Sequence, residues 1–146
     1  MARTNELKDL VEPYVRTWLS KNYDIAFEPF ELALTLVTGG THKFDVVSKD
    51  RAIIGGIKTH AVRPTGKVGV GPIKSAFTEL YFLSLVEAEK KLLVLTDPGF
   101  FDIFTRAATG RVLPDTVIIL CSLPARLTAR LALVHQAARD EIGKRL

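Results

Sequence analysis

The stretch KFDVVSKDRAIIGGIKTH, residues 43–60, contains two apolar β-strand patterns separated by a short polar segment. The segments HKFDVVS (42–48) and RAIIGGIKTHA (51–61) are rich in β-branched and aromatic residues, which favours strands. Lys49-Asp50 lies between them and is typical of a tight turn. The sequence therefore predicts an antiparallel hairpin that places Asp45 and Lys58 on neighbouring strands.

The position of the turn determines which side chains share a face of this hairpin. A turn centred on Lys49-Asp50 places Asp45 opposite Ile54 and Lys43 opposite Gly56. Because side chains alternate between the two faces of a strand, one face is predicted to carry Lys43, Asp45, Val47, Ala52, Ile54, Gly56, Lys58 and His60. The opposite face is predicted to carry the core residues Phe44, Val46, Ile53 and Ile57, together with His42.

Asp45 and Lys58 are charged residues that are costly to bury on a sheet unless they are paired or lie at a cleft. One interpretation is a plain ion pair between them at the rim of the sheet. The other is that Asp45 holds a divalent metal ion and Lys58 orients or polarises a water molecule against a phosphate. The residue types alone leave both interpretations open.

The rest of the chain predicts an α/β domain around this hairpin. Apolar periodicity and Gly or Pro boundaries predict a helix at 4–21, a strand at 30–40, a loop at 62–72, a helix at 73–90, a strand at 91–97, a helix at 98–110, a strand at 115–123 and a helix at 124–146. The helix at 4–21 contains Pro13 and is expected to kink or break there, and the helix at 73–90 is apolar nearly all round, so it is expected to be largely buried. The predicted order is αβββαβαβα. It forms a mixed β-sheet flanked by helices, with an antiparallel meander followed by a parallel pair.

The hairpin and this element order resemble the PD-(D/E)XK nuclease superfamily, whose fold is restriction endonuclease-like. That family's signature is an Asp on the second core strand and an acid-x-Lys on the third. Asp45 matches the first part, and Gly56-Ile57-Lys58 matches the second with glycine in place of the acid. The stretch GGTHKFDVVS is similar to family members that read G-x-x-H-K-F-D, and the resemblance covers roughly residues 4–97.

The resemblance implies a site for Mg²⁺ or Mn²⁺ in which the carbonyl of Ile57 and two carboxylates act as ligands and Lys58 is catalytic. Gly56 offers no ligand atom, so one carboxylate of that site is missing. Some family members carry the acid on the following helix, which makes Glu79 the best candidate for the second ligand and catalytic acid beside Asp45. Weaker candidates are Glu31, Glu6 and Glu12.

Positive charge is concentrated around the hairpin. Residues 43–74 have a net charge of +5, whereas the other 114 residues sum to −1. Such a field attracts a polyanion, and the predicted nucleic-acid contacts are Lys43, Lys49, Arg51, His60, Arg63, Lys67 and Lys74. A solvated basic rim without a partner is the alternative.

Composition places the chain among ordinary globular proteins. Its 146 residues are 47% hydrophobic and 25% charged, which predicts a single domain over residues 1–146. The one cysteine in the sequence, Cys121, is predicted to be buried, in keeping with a reducing cytoplasm. The N-terminus lacks the apolar stretch of a signal peptide, and no apolar run is long enough to span a bilayer. We therefore expect a cytoplasmic protein without membrane partners.

Three functions remain open from the sequence. The favoured one is a DNA-binding protein on a nuclease frame that has lost its acid at Gly56, acting as a homodimer or within a larger protein complex. The second is an active Mg²⁺- or Mn²⁺-dependent DNA endonuclease with Glu79 as a migrated acid. The third is a non-nucleic-acid interaction or small-molecule domain on a similar sheet.

Overall fold

The computed structural model describes the backbone of residues 2–145 and the side chains of residues 9–137 and 140. Its elements are α1 (Ala2–Tyr23), β1 (Phe27–Ala33), β2 (Thr41–Ser48), β3 (Ile53–Lys58), α2 (Val70–Ser84), β4 (Lys90–Leu95), α3 (Pro98–Ala107), β5 (Thr116–Leu120) and α4 (Ala125–Arg145). The predicted order αβββαβαβα and the α/β class are confirmed. Among the described residues, no helix combines the length and the apolar character that crossing a membrane requires.

The five strands form one mixed sheet in the order β1-β2-β3-β4-β5. The first three strands are antiparallel, and β3, β4 and β5 are parallel, connected by crossovers through α2 and α3. Strand β4 is apolar on both faces because Leu92 and Val94 contact the cluster with α1 and α4, whereas Leu93 and Leu95 contact the cluster with α2 and α3. The sheet is therefore covered by helices on both sides, with β3 and β4 at its centre and β5 at one edge.

Predictions for three elements differ from the structure. Strand β1 spans Phe27–Ala33 rather than 30–40, and residues 34–40 form a loop that Leu34 N closes by donating to Gly40 O at 2.9 Å. Helix α2 spans Val70–Ser84 rather than 73–90. It buries one side and leaves Tyr81 57% exposed, so the prediction that this helix is largely buried is wrong. Helix α1 continues through Pro13, where a kink or break was predicted. Pro13 lies on the exposed side of the helix, and the buried side is formed by other residues.

The turn between β2 and β3 is longer than predicted, which changes the register. Residues 49–52 connect the strands, and the side chain of Asp50 accepts from the hydroxyl of Ser48 at 2.7 Å and from Ala52 N at 3.0 Å. The observed partners are Val46↔Gly55 and Val47↔Ile54. This register places Asp45 level with Gly56, two residues further along β3 than the predicted partner.

A β-bulge in β2 places several side chains of the hairpin on the opposite face from the predicted one. Glu28 pairs with Val47 but Phe30 pairs with Phe44, so two residues of β2 lie opposite Pro29 alone. Proline has no N–H to donate and is confined to edge strands and bulges within sheets. The extra residue reverses the alternation between Val47 and Phe44.

The consequence is that side chains on either side of the bulge change face. Phe44 packs with Val47 and Ile54 against α2, whereas Val46 packs with Ile57 on the side of α1. The prediction that Phe44 shares a face with Val46 is therefore wrong. His42, two residues before Phe44, lies on the α2 side, and Lys43 between them is exposed on the other side. Those two predicted orientations are also corrected.

Candidate active site

Asp45 lies where β2 and β3 separate. The ladder between these strands has two residue pairs, Val46↔Gly55 and Val47↔Ile54. Next to these pairs, Ile57 N donates to a side chain instead of a backbone carbonyl, since Asp45 Oδ2 accepts from it at 2.8 Å. On the bulged backbone, the carbonyl of Asp45 accepts from Nη1 of Arg16 in α1 at 3.1 Å. The residue is thus fixed at both its carboxylate and its carbonyl, with its side chain half-buried between the two strands.

The Glu79 side chain fills the space that a side chain at residue 56 would occupy. A Cβ built on Gly56 would lie 2.5 Å from Cγ and 2.6 Å from Cδ of Glu79, and closer still to Oε1. These separations are well below van der Waals contact, so residue 56 must be glycine for Glu79 to lie there. Helix α2 therefore places a carboxylate against β3 at residue 56.

Glu79 is a buried acid with charged neighbours. Its side chain is 7% exposed, and this burial raises the pKa of its carboxyl. Lys58 and His42 oppose that increase in the pKa, whereas the negative charge of Asp45 adds to it. The two carboxylates and the Lys58 ammonium thus interact electrostatically, which places the three predicted catalytic residues in one cluster.

His42 belongs to this cluster, although the sequence placed it on the opposite face. Its Nε2 lies 3.3 Å from Oε2 of Glu79. Its ring stacks on Phe82 with a centroid distance of 3.9 Å and an interplanar angle of 7°, and it meets the ring of Phe44 edge-on at 4.7 Å. The bulge opposite Pro29 is what brings His42 to the α2 side, and the alternation of the strand gave no signal for it.

Lys58 and His60 lie at the carboxyl end of β3. Lys58 is half-buried and pairs with Leu95 in the parallel ladder. The ring of His60 packs on Phe100 of α3 at a centroid distance of 5.6 Å. Burial lowers the pKa of His60, and the positive charges of Lys58 and His135 lower it further. Lys58 is thus a cationic group near the Glu79 carboxylate, whereas burial and the neighbouring positive charges disfavour the protonated form of His60.

The weaker acid candidates lie elsewhere. Glu31 is on the edge strand β1, where its carboxylate accepts from the hydroxyl of Thr41 at 3.1 Å in an exposed position. Glu12 on α1 lies 3.7 Å from Nη1 of Arg16. The side chain of Glu6 is outside the described residues. Of these acids, Glu79 is the one whose side chain the structure brings against Gly56.

The predicted nucleic-acid contacts fall into separate groups along the hairpin. Lys49 and Arg51 lie in the β2–β3 turn, and Cζ of Arg51 is 4.5 Å above the ring of Phe30 on β1. This turn is about 17 Å from Gly56 along β3, at about 3.3 Å per residue. By contrast, the exposed Arg63, Lys67 and Lys74 follow the carboxyl end of β3, in the loop 59–69 and at the start of α2. We define these three residues as the basic rim.

The basic rim is attached to the rest of the structure through its loop. Asp97, which caps the N-terminus of α3, accepts from Val62 N at 3.3 Å as well as from Phe100 N at 2.8 Å. Within the loop, Arg63 N donates to Lys67 O at 3.0 Å, and Gly66 at φ 79° lies in the tight turn between them. The loop is thus held at its root to α3, next to the end of the strand that carries Lys58.

The donor atoms near Gly56 suit a hard cation but are few. Asp45, Glu79 and the carbonyl of Ile57 offer oxygen ligands, which Mg²⁺ and Mn²⁺ prefer. Within the described part of the chain, no group of three or more His, Cys, Asp or Glu side chains is arranged to hold a metal ion. Mg²⁺ is commonly held by one or two carboxylates together with phosphates of its substrate. Comparison of the chain with protein-family models, curated proteins and solved structures found no match in any of the three.

Proposed function

We propose that the chain is a metal-dependent phosphodiester hydrolase of the PD-(D/E)XK type that acts on DNA, with Glu79 in place of the acid missing at Gly56. The observation that carries this proposal is the overlap between the Glu79 side chain and a Cβ at residue 56. Glycine at that position on its own favours a degenerate frame. A buried carboxylate in the same space favours a frame whose second acid has moved to α2.

The residues that would hold Mg²⁺ or Mn²⁺ are Asp45, Glu79 and the carbonyl of Ile57. Two observations support the binding of a divalent cation by these residues. Asp45 and Glu79 are close enough for one negative charge to raise the pKa of the other carboxyl, and burial of Glu79 raises that pKa further. A bound cation would relieve both effects. When bound, the metal ion would supply Lewis-acid polarisation of a phosphate and lower the pKa of a bound water.

Lys58 and the backbone of β3 supply the other elements of the mechanism. Lys58 lies near Glu79, and its ammonium offers a positive charge and three donors to a phosphate oxygen or an attacking water. Asp45 Oδ2 accepts from Ile57 N at 2.8 Å and so fixes this segment of β3. Burial of Glu79 limits bulk water there, which strengthens each of these electrostatic interactions.

DNA is the proposed substrate because the basic rim borders the acidic cluster. Arg63, Lys67 and Lys74 are exposed and follow the strand end that carries Lys58. Basic side chains at this position would neutralise backbone phosphates on both sides of a scissile bond. The cationic turn of Lys49 and Arg51 lies on the same hairpin but too far away to share the same phosphates, so we assign it an accessory contact at most.

Plasmid nicking in Mn²⁺ and in Mg²⁺ tests this proposal. We expect nicking by the unmodified chain, and loss of about 100-fold or more in rate for Asp45→Ala, Glu79→Ala and Lys58→Ala. Glu31→Ala is the matched control, because this acid is exposed on the edge strand. The exchange Gly56→Glu with Glu79→Ala, which returns the acid to β3, should recover part of the activity lost in Glu79→Ala. Nicking that survives Glu79→Ala would refute the assignment of the second acid.

A second candidate is DNA binding without cleavage. It is favoured by the small ligand set, since no group of three or more His, Cys, Asp or Glu side chains among the described residues is arranged to hold a metal ion. This function predicts no nicking in either metal, together with salt-sensitive binding of duplex DNA. A chain that neither nicks nor binds DNA would refute both candidates and leave a non-nucleic-acid role.

A further inference from the structure

The Glu79 side chain hydrogen-bonds to His42, whose own orientation is set by packing. His42 Nε2 lies 3.3 Å from Oε2 of Glu79, and both side chains are largely shielded from solvent at 23% and 7% exposed. Glu79 and Phe82 are three residues apart in α2 and therefore lie on the same side of that helix. A single histidine ring thus contacts the acid and the aromatic residue one helical turn beyond it.

Two aromatic contacts restrict the His42 ring. It stacks on Phe82 at 3.9 Å with 7° between the planes, and Phe44 meets it at 4.7 Å and 76°. The stacked and edge-on geometries are the favourable ones for ring pairs. Because Phe44 comes from β2 and Phe82 from α2, the ring is fixed relative to both elements that form the cluster.

Glu79 has the flexible three-torsion side chain of a glutamate and approaches the sheet from a helix. An acid that reaches in from α2 has to be held, and burial of the carboxylate by itself opposes its ionised form. Among the described residues, His42 is the side chain that hydrogen-bonds to the Glu79 carboxylate.

We propose that His42 is the positioning residue of Glu79: the stacked ring holds the carboxylate over Gly56 through its Nε2. This inference rests on the proposed role of Glu79 as the second acid. His42 acts through Glu79 and is assigned no contact with substrate. The bulge opposite Pro29 belongs to the same device, since without it the alternation of β2 would point His42 away from α2.

The first test uses the metal-free protein in EDTA. Thermal unfolding is measured for the unmodified chain, His42→Phe, Glu79→Ala and the double variant. His42→Phe retains an aromatic ring on Phe82 and removes the hydrogen bond to a buried acid, so we expect the unfolding midpoint to fall by about 5 °C. In the Glu79→Ala background the same substitution should change the midpoint by less than about 2 °C. Equal shifts in the two backgrounds would overturn the proposal.

The second test separates positioning from a general loosening of α2. Mn²⁺ affinity is measured by calorimetry for the unmodified chain, His42→Phe, His42→Gln and Thr35→Val. His42→Phe should weaken binding by about tenfold or more, while His42→Gln, which keeps a donor but loses the stack, should retain more of the affinity than His42→Phe. Thr35→Val removes the 2.7 Å hydrogen bond from Thr35 Oγ1 to Leu85 O at the end of α2 and should leave the affinity unchanged.

The outcomes distinguish this inference from the proposed function. If the unmodified chain binds no Mn²⁺, the metal site is refuted, and the thermal coupling between His42 and Glu79 still decides whether the carboxylate is positioned as proposed. If the chain binds Mn²⁺ and His42→Phe binds it as tightly, the positioning role is refuted. A loss of affinity shared by His42→Gln and Thr35→Val would assign the effect to the packing of α2 and refute it as well.

Discussion

Substituting Gly56 by alanine tests the spatial relation on which the candidate site depends. The added Cβ would lie 2.5 Å from Cγ and 2.6 Å from Cδ of Glu79. Ordinary carbon–carbon contact is about 3.5–4.0 Å, so Glu79 has to move by about 1 Å or more. It is buried against β3 and hydrogen-bonded to His42, which leaves it little room to do so. Inserting a methyl group into such packing costs about 1–3 kcal/mol.

The expected result is a loss of stability that depends on Glu79. Chemical unfolding in urea should give Gly56→Ala a free energy of unfolding about 1–3 kcal/mol lower than the unmodified chain. In the Glu79→Ala background the alanine methyl occupies vacated space, so the same substitution should cost less than about 0.5 kcal/mol. The difference between these two values is the coupling energy between positions 56 and 79.

Two other glycines are matched controls for this measurement. A Cβ at Gly71, near the start of α2, meets nothing within 4 Å, so Gly71→Ala should be neutral or stabilising by up to about 1 kcal/mol. A Cβ at Gly55 would lie 2.5 Å from the carbonyl oxygen of Leu92, so Gly55→Ala should be destabilising whether or not Glu79 is present. If Gly56→Ala cost nothing, or cost the same in both backgrounds, Glu79 would not occupy the space at residue 56, and the assignment of the second acid would fail with it.

The remaining predictions concern pH, the thiol and salt. Burial raises the pKa of the Glu79 carboxyl above its ordinary 4.5, so the stability from this group is present below that value and is lost as the pH rises through the folded-state pKa. In urea unfolding at about pH 4 and about pH 7, the free energy of unfolding of Glu79→Gln should therefore increase relative to that of the unmodified chain as the pH rises. A difference that stays constant with pH would contradict this. Burial raises the pKa of Cys121 to about 11, so a thiol reagent near pH 8 should react only after unfolding, and rapid labelling of the folded chain would contradict its burial. Arg63→Ala and Lys67→Ala should each reduce the slope of log K against log salt for duplex DNA by about 1, measured by fluorescence anisotropy, and unchanged slopes would exclude the basic rim from the interface.

The order of the elements could be predicted because each carries a local signal. Continuous apolar runs predicted strands β4 and β5, and Pro98 marked the start of the helix between them. The predicted burial of both strands holds for β4, whereas β5 lies at the edge of the sheet with Val117 39% exposed. The burial of Cys121 followed from its place next to such a run and is confirmed. These features depend on neighbours in the sequence, so periodicity and turn residues are enough to find them.

The faces of the hairpin could not be predicted in the same way. The register depends on a four-residue turn in which the Asp50 side chain replaces backbone partners, and Arg51 adopts a left-handed φ of 61°. The bulge depends on Pro29, which lies on another strand. The alternation of side chains along β2 alone predicts neither the turn nor the bulge. One extra residue in β2 is enough to move His42 from one side of the sheet to the other.

Gly56 and Glu79 are best understood as a single feature of the site. A side chain at residue 56 and the observed Glu79 side chain exclude each other, since they require the same volume between β3 and α2. A motif comparison along β3 registers only the glycine, because the carboxylate that we propose in place of the acid is 23 residues further along the chain. The packing of Glu79 against residue 56 supports the opposite conclusion about the glycine. Where an acid reaches the sheet from α2, the motif position has to be glycine, so the residue that appeared to argue against a second carboxylate is the one that makes room for it.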